Sequence, residues 1–147
     1  MDINVRFWKR WLVAATSAVA LFGLALAVVP AFGRTVFGLL IFGATSGIDA
    51  LGVSVAPYIT LLHGVLGAVM FGWAIALLFV VLGPFARGER DGWLILAVSL
   101  AAWFVPDTVL SLWMGFWPNA VLNIALAALF VVPLAATFGA FNQRRLT

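Results

Sequence analysis

Long apolar runs separated by short polar, glycine- and proline-containing breaks set the pattern of this chain. A helix needs about 20 mostly apolar residues to cross the hydrocarbon of a bilayer, and four stretches meet that length: about 11–29, ending at Pro30; about 58–82, ending at Gly83-Pro84; about 92–114; and about 117–141. The expected fold is an all-α integral membrane protein, a four-transmembrane-helix bundle forming a single membrane domain over residues 1–147. Between the first two spans, residues 31–57 hold a ten-residue apolar piece, Thr35 to Ala44, followed by the polar turn Thr45-Ser46-Gly47-Ile48-Asp49. Ten apolar residues are too few to cross, so this piece is expected to be a short interfacial or re-entrant helix in an outer loop.

Charge fixes the orientation. Cytoplasmic loops are enriched in Lys and Arg. With four spans, Arg6, Lys9, Arg10, Arg87, Arg90, Arg144 and Arg145 fall on one side and Arg34 alone on the other. A fifth span through residues 35–55 would send the Arg87/Arg90 loop and the Arg144/Arg145 tail across from the N-terminus and destroy the bias. The expectation is N-in/C-in, with both termini cytoplasmic, as a multi-pass protein of the bacterial inner (plasma) membrane. Trp8, Trp11 and Trp93 then mark the cytoplasmic interface, and Trp113 and Trp117 the outer one. A rival reading takes residues 1–27 as a cleaved signal peptide with Ala25-Leu26-Ala27 before the cut, but the apolar stretch from Trp11 is long for such a segment.

Composition agrees. Of 147 residues, 65% are hydrophobic and 9% charged, and the mean hydropathy is +1.19, far from the roughly 25% charged of soluble domains. The net charge of +3 is scattered over loops rather than gathered along a groove, so no nucleic-acid partner is expected. With no cysteine, disulfides, thiolate metal sites, iron–sulfur clusters and covalent haem attachment are excluded. One histidine excludes bis-histidine haem ligation, and a single His–Asp pair is short of the three or four protein ligands of a zinc site. No cofactor is assigned.

In lipid, helices associate through small residues rather than hydrophobicity. Gly64, Ala68, Gly72 and Ala76 form the clearest small-residue stripe, with weaker ones at Ala15, Val19, Gly23 and Ala27 and at Ala128, Ala136 and Ala140. These serve packing within the bundle or a homodimer. No internal repeat supports an inverted-repeat transporter.

Ionisable residues at bilayer depth cost at least about 2.5 kcal/mol and mark candidate sites. Asp107 lies roughly 10 Å inside the outer end of the third span and His63 roughly 8 Å inside the second, at about 1.5 Å per residue. The turn Gly115-Phe116-Trp117-Pro118 folds the last two spans into an antiparallel hairpin that levels Asn123 with Ser111. Trp103, Asp107 and Ser111 share one face of the third span, and Asn119 and Asn123 one face of the fourth. His63, Asp107, Ser111, Asn119 and Asn123 are therefore expected to converge in the outer half of the bundle, with Trp103 closing the pocket from below. Pro106 adds a kink, and Thr108 is placed to satisfy the backbone carbonyl it frees.

Plainer roles stand beside these. Asp107 and His63 also suit structural hydrogen bonding, Asn119 suits a helix N-terminal cap, Glu89 and Asp91 a solvated loop, and Asp49 either a lid or an ordinary turn. The leading expectation is a pocket binding a lipophilic or small polar ligand. The alternatives are an accessory subunit of a larger membrane complex and a proton-linked enzyme or transporter using Asp107 and His63.

Overall fold

The computed structural model describes residues 3–142, and side chains from Val5 onward. Every regular element among them is helical: α1 (Ile3–Val28), α2 (Pro30–Phe37, continuing as one wide π-helical turn over Gly38–Phe42), a single 3-10 turn (Asp49–Leu51), α3 (Ala56–Val80, continuing as a π-helical turn over Val81–Phe85), α4 (Arg90–Trp113) and α5 (Trp117–Asn142). Four of them are long and apolar enough to cross a membrane: Val5–Val28, Ala56–Phe85, Arg90–Trp113 and Trp117–Asn142. Their outward side chains suit lipid, with Leu21, Val69, Phe79 and Val98 largely exposed. Arg144 and Arg145 lie outside the described residues.

Helix ends differ from the hydropathy reading for identifiable reasons. α1 begins at Ile3, so Arg6, Lys9 and Arg10 lie on the helix, and Trp11 sits about 12 Å along it at 1.5 Å per residue. Hydropathy does not register a helix whose first turns are basic. Pro30 starts α2 rather than merely ending α1, occupying the first turn, where its fixed φ and missing N–H carry no penalty. The short apolar helix therefore spans Pro30–Phe42, five residues earlier at its start than the apolar run suggests. Gly83-Pro84 does not end the second span. Pro84 removes one i→i−4 bond, and the chain widens into a π-helical turn with Gly83 at φ −95°, ψ −105°.

The described residues fall into two compact units. In the unit Ala18–Ala74, α1 and α3 meet at Gly23 and Gly67. A Cβ on Gly67 would lie 2.5 Å from the Gly23 carbonyl oxygen and 2.6 Å from Leu26 Cβ, and one on Gly23 would lie 2.7 Å from the Phe71 nitrogen. The expected Gly64/Ala68/Gly72/Ala76 stripe does not make this contact: Ala68, Gly72 and Ala76 are exposed and nothing lies within 4 Å of a Cβ built on Gly72. In lipid several small-residue faces compete equally well, and spacing alone does not choose among them. The α1 stripe fares better, since Ala15 and Gly23 are both buried. Ala128 and Ala136 are exposed; α5 instead buries Ala120, Asn123, Ala127, Phe130, Leu134, Thr137 and Phe141.

The other unit, Met1–Ser17 with Ile75–Thr147, contains the α4–α5 hairpin. α4 closes on Gly115 at φ 80°, where the Phe116 N–H returns to the Ser111 carbonyl at 2.8 Å. This left-handed closure suits glycine because it carries no Cβ penalty. Gly92, at the start of α4, packs directly on the backbone of Pro84 and Phe85. α5 carries Pro133, whose missing N–H leaves the Leu129 carbonyl without its helical donor. The Trp11 indole N–H donates to that carbonyl at 2.9 Å. One turn on, the Trp93 indole donates to the Leu134 carbonyl at 2.9 Å and Thr137 Oγ1 to the Pro133 carbonyl at 2.7 Å. Trp11 thus supplies the donor that Pro133 takes from the Leu129 carbonyl, and Trp93 adds a second indole bond to the same helix.

Candidate functional site

The turn end of the α4–α5 hairpin carries the polar cluster. α4 presents Asp107, Thr108 and Ser111, and α5 presents Asn119 and Asn123. The Gly115 closure and the short link to Trp117 fix their register. Asn119 Nδ2 donates to Asp107 Oδ1 at 3.1 Å and to Ser111 Oγ at 2.7 Å. Ser111 Oγ lies 2.7 Å from the Asp107 carbonyl oxygen and 3.3 Å from Asp107 Oδ1, placing its hydroxyl to donate to either. Asn123 Nδ2 lies 3.4 Å from Thr108 Oγ1, a longer contact. Ser111 and Asn123 are buried, while Asp107 and Asn119 are half-buried.

The hairpin therefore brings Asp107, Ser111 and Asn119 into one hydrogen-bonded group and sets Asn123 beside it through Thr108. Two expected details differ. The Asn119 side chain does not cap α5, because its amide crosses to the acid on α4. Thr108 engages Asn123 rather than the backbone near Pro106. Trp103 lies one turn before Asp107 on the same helix, its ring 6.3 Å from that of Phe104.

Asp107 uses its two oxygens unequally. Oδ1 accepts from Asn119 and Ser111, whereas no hydrogen bond reaches Oδ2 from the described residues. A carboxylate on a membrane helix held through one oxygen keeps the other for a proton, a cation or a hydrogen-bond donor.

His63 belongs to the unit Ala18–Ala74. Its imidazole stacks on Phe37 with ring centroids 4.2 Å apart and an interplanar angle of 11°. Gly33 allows the approach, since a Cβ there would lie 3.3 Å from His63 Cβ. His63 Nδ1 is buried with no hydrogen-bond partner among the described residues. Phe37 was not legible as its neighbour, because the stack requires α2 to begin at Pro30. In the same unit Asp49 opens the 3-10 turn and stands 3.8 Å from Arg34, both side chains well exposed.

Outside the spans, Arg87 and Glu89 form an exposed ion pair with a second contact at 3.2 Å. The hydrogen bond from Arg87 holds the Glu89 carboxyl below its ordinary value. Glu89 and Asp91 take no part in the polar cluster. Among the described residues no three His, Asp or Glu side chains gather as metal ligands.

Fold and cluster together define the class, a small all-helical multi-pass membrane protein with a hydrogen-bonded acid within its third candidate span. Comparison with family models, with curated proteins and with solved structures finds no match to this chain.

Proposed function

We propose that this is a bacterial inner-membrane binding protein whose outer-half cluster takes a lipophilic or small polar ligand, with Asp107 as its anchor. The observation that carries the reading is the open Oδ2 of a carboxylate whose other oxygen is already fixed by Asn119 and Ser111. A ligand bearing an N–H, O–H or cationic group completes that acid at lower desolvation cost than an isolated charge would incur. The unpartnered Nδ1 of His63 is a second unfilled position in the protein. Asp107→Asn keeps the shape and replaces the acceptor Oδ2 with an amide donor. A lipid and metabolite thermal-shift screen is expected to yield ligands whose stabilisation is lost in Asp107→Asn while the ligand-free melting temperature stays close to wild type; undiminished shifts would overturn the reading.

In this proposal both termini are cytoplasmic, Pro30–Phe42 lies at or dips into the outer interface, and the turn after α4 faces the periplasm; the basic-residue bias supports it. The exposed Ala68/Gly72/Ala76 face favours a second reading, association with another copy or a larger membrane complex. The absence of native cysteine makes single-cysteine probes clean for both. Glu89→Cys is expected to label only from the cytoplasmic side and Asp49→Cys only from outside, and cross-linking of Ala68→Cys would support the second reading.

A further inference from the structure

A groove of about 670 Å³ runs between α4 and α5. It lies apart from the Asp107 cluster and does not rest on the function proposed for it. Its wall is apolar throughout: Trp93, Ala97 and Ala101 face Ala128, Val131 and Phe138 across it. The single polar hydrogen among these side chains, the Trp93 indole N–H, is already given to the Leu134 carbonyl. A polar ligand would find nothing to bond. The groove extends on α4 from Trp93 to Val105, about 18 Å at 1.5 Å per residue, against about 15 Å for one leaflet of a 30 Å hydrocarbon core.

What stands at its end decides the occupant. Arg90, Trp93, Ala97, Ala101 and Phe104 recur at three- and four-residue steps, so Arg90 heads the same face of α4 that lines the groove. Arg87 is paired with Glu89. Arg90 enters no ion pair among the described residues, and it opens α4, where backbone N–H groups add positive potential. Asp91 points about 100° away around the helix. A cation and a tryptophan at one end of a leaflet-long apolar groove complement an anionic headgroup and its chain.

We propose that this groove holds one acyl chain of an anionic phospholipid, with the lipid phosphate at Arg90. The test is native mass spectrometry of the full chain released from vesicles of phosphatidylglycerol mixed equally with phosphatidylcholine. The expected result is one retained lipid per chain, predominantly phosphatidylglycerol. Arg90→Gln should lower that preference about fivefold, the effect of one basic residue at an anionic surface, without emptying the groove. Ala101→Phe with Ala128→Phe, at two exposed positions, should abolish retention of both lipids while the melting temperature holds. Wild-type retention in the filled variant, an unchanged headgroup preference in Arg90→Gln, or disulfide-linked dimers from Ala101→Cys that displace the lipid would each overturn the proposal.

Discussion

Gly67→Val is expected to lose most of the folded protein. The added Cβ would stand 2.5 Å from the Gly23 carbonyl oxygen and 2.7 Å from the Ala27 nitrogen, and backbone cannot rotate aside as a flexible side chain can. The helices must separate, which costs about 3 kcal/mol as overpacking and forfeits the close contact on which association in lipid depends. Fluorescence-detected size exclusion after heating should place its midpoint about 10 °C below wild type. Gly72→Val is the control: nothing lies within 4 Å of a Cβ there, so it should melt with the wild type. An equal loss at both positions would mean that glycine flexibility, not the Gly23–Gly67 approach, is what matters.

Gly92→Val should be comparably damaging through a different element. Its Cβ would press on the backbone of Phe85 and lie 2.7 Å from the Pro84 carbonyl carbon, at the tight return between α3 and α4. That return is already committed to a π-helical turn and to a Glu89 N–H bond with the Pro84 carbonyl at 2.9 Å. No softer segment is available to absorb the displacement. A loss of about 3 kcal/mol is expected, read as reduced yield and a lowered melting midpoint. Gly139→Val, open around its Cβ, should be tolerated, since valine is the better helix former of the two.

These two glycines also mark where sequence reasoning reached its limit. The four spans were legible because lipid demands length and apolarity, both one-dimensional properties. Within the hairpin the cluster was legible too, since the Gly115 turn fixes register and helical periodicity brings Asp107, Ser111 and Asn119 together. Which small residues touch was not. In water a polar face would orient each helix, but here almost every face is apolar, and Gly67 is distinguished from Gly72 only by what stands opposite. Pro30 was ambiguous between stop and start for a related reason: the same missing N–H suits both. The role of Trp11 needed a partner 118 residues away. It could have been suspected from Pro133 alone, which must strand the carbonyl of Leu129.

The Asn119–Asp107 bond also bears on how the chain enters the membrane. α4 is the least apolar of the four candidate spans and carries the acid, so on leaving the ribosome it is the segment that the insertion machinery has least reason to release into lipid. Its hydrogen-bonding partner is already next in line, eight residues beyond Ser111 on the far side of a turn that closes locally. α4 and α5 therefore enter lipid best as a preformed hairpin, with the amide and hydroxyl reaching the carboxylate before hydrocarbon does. Any stop codon or cleavage between Met114 and Asn119 leaves α4 without the amide that bonds its acid.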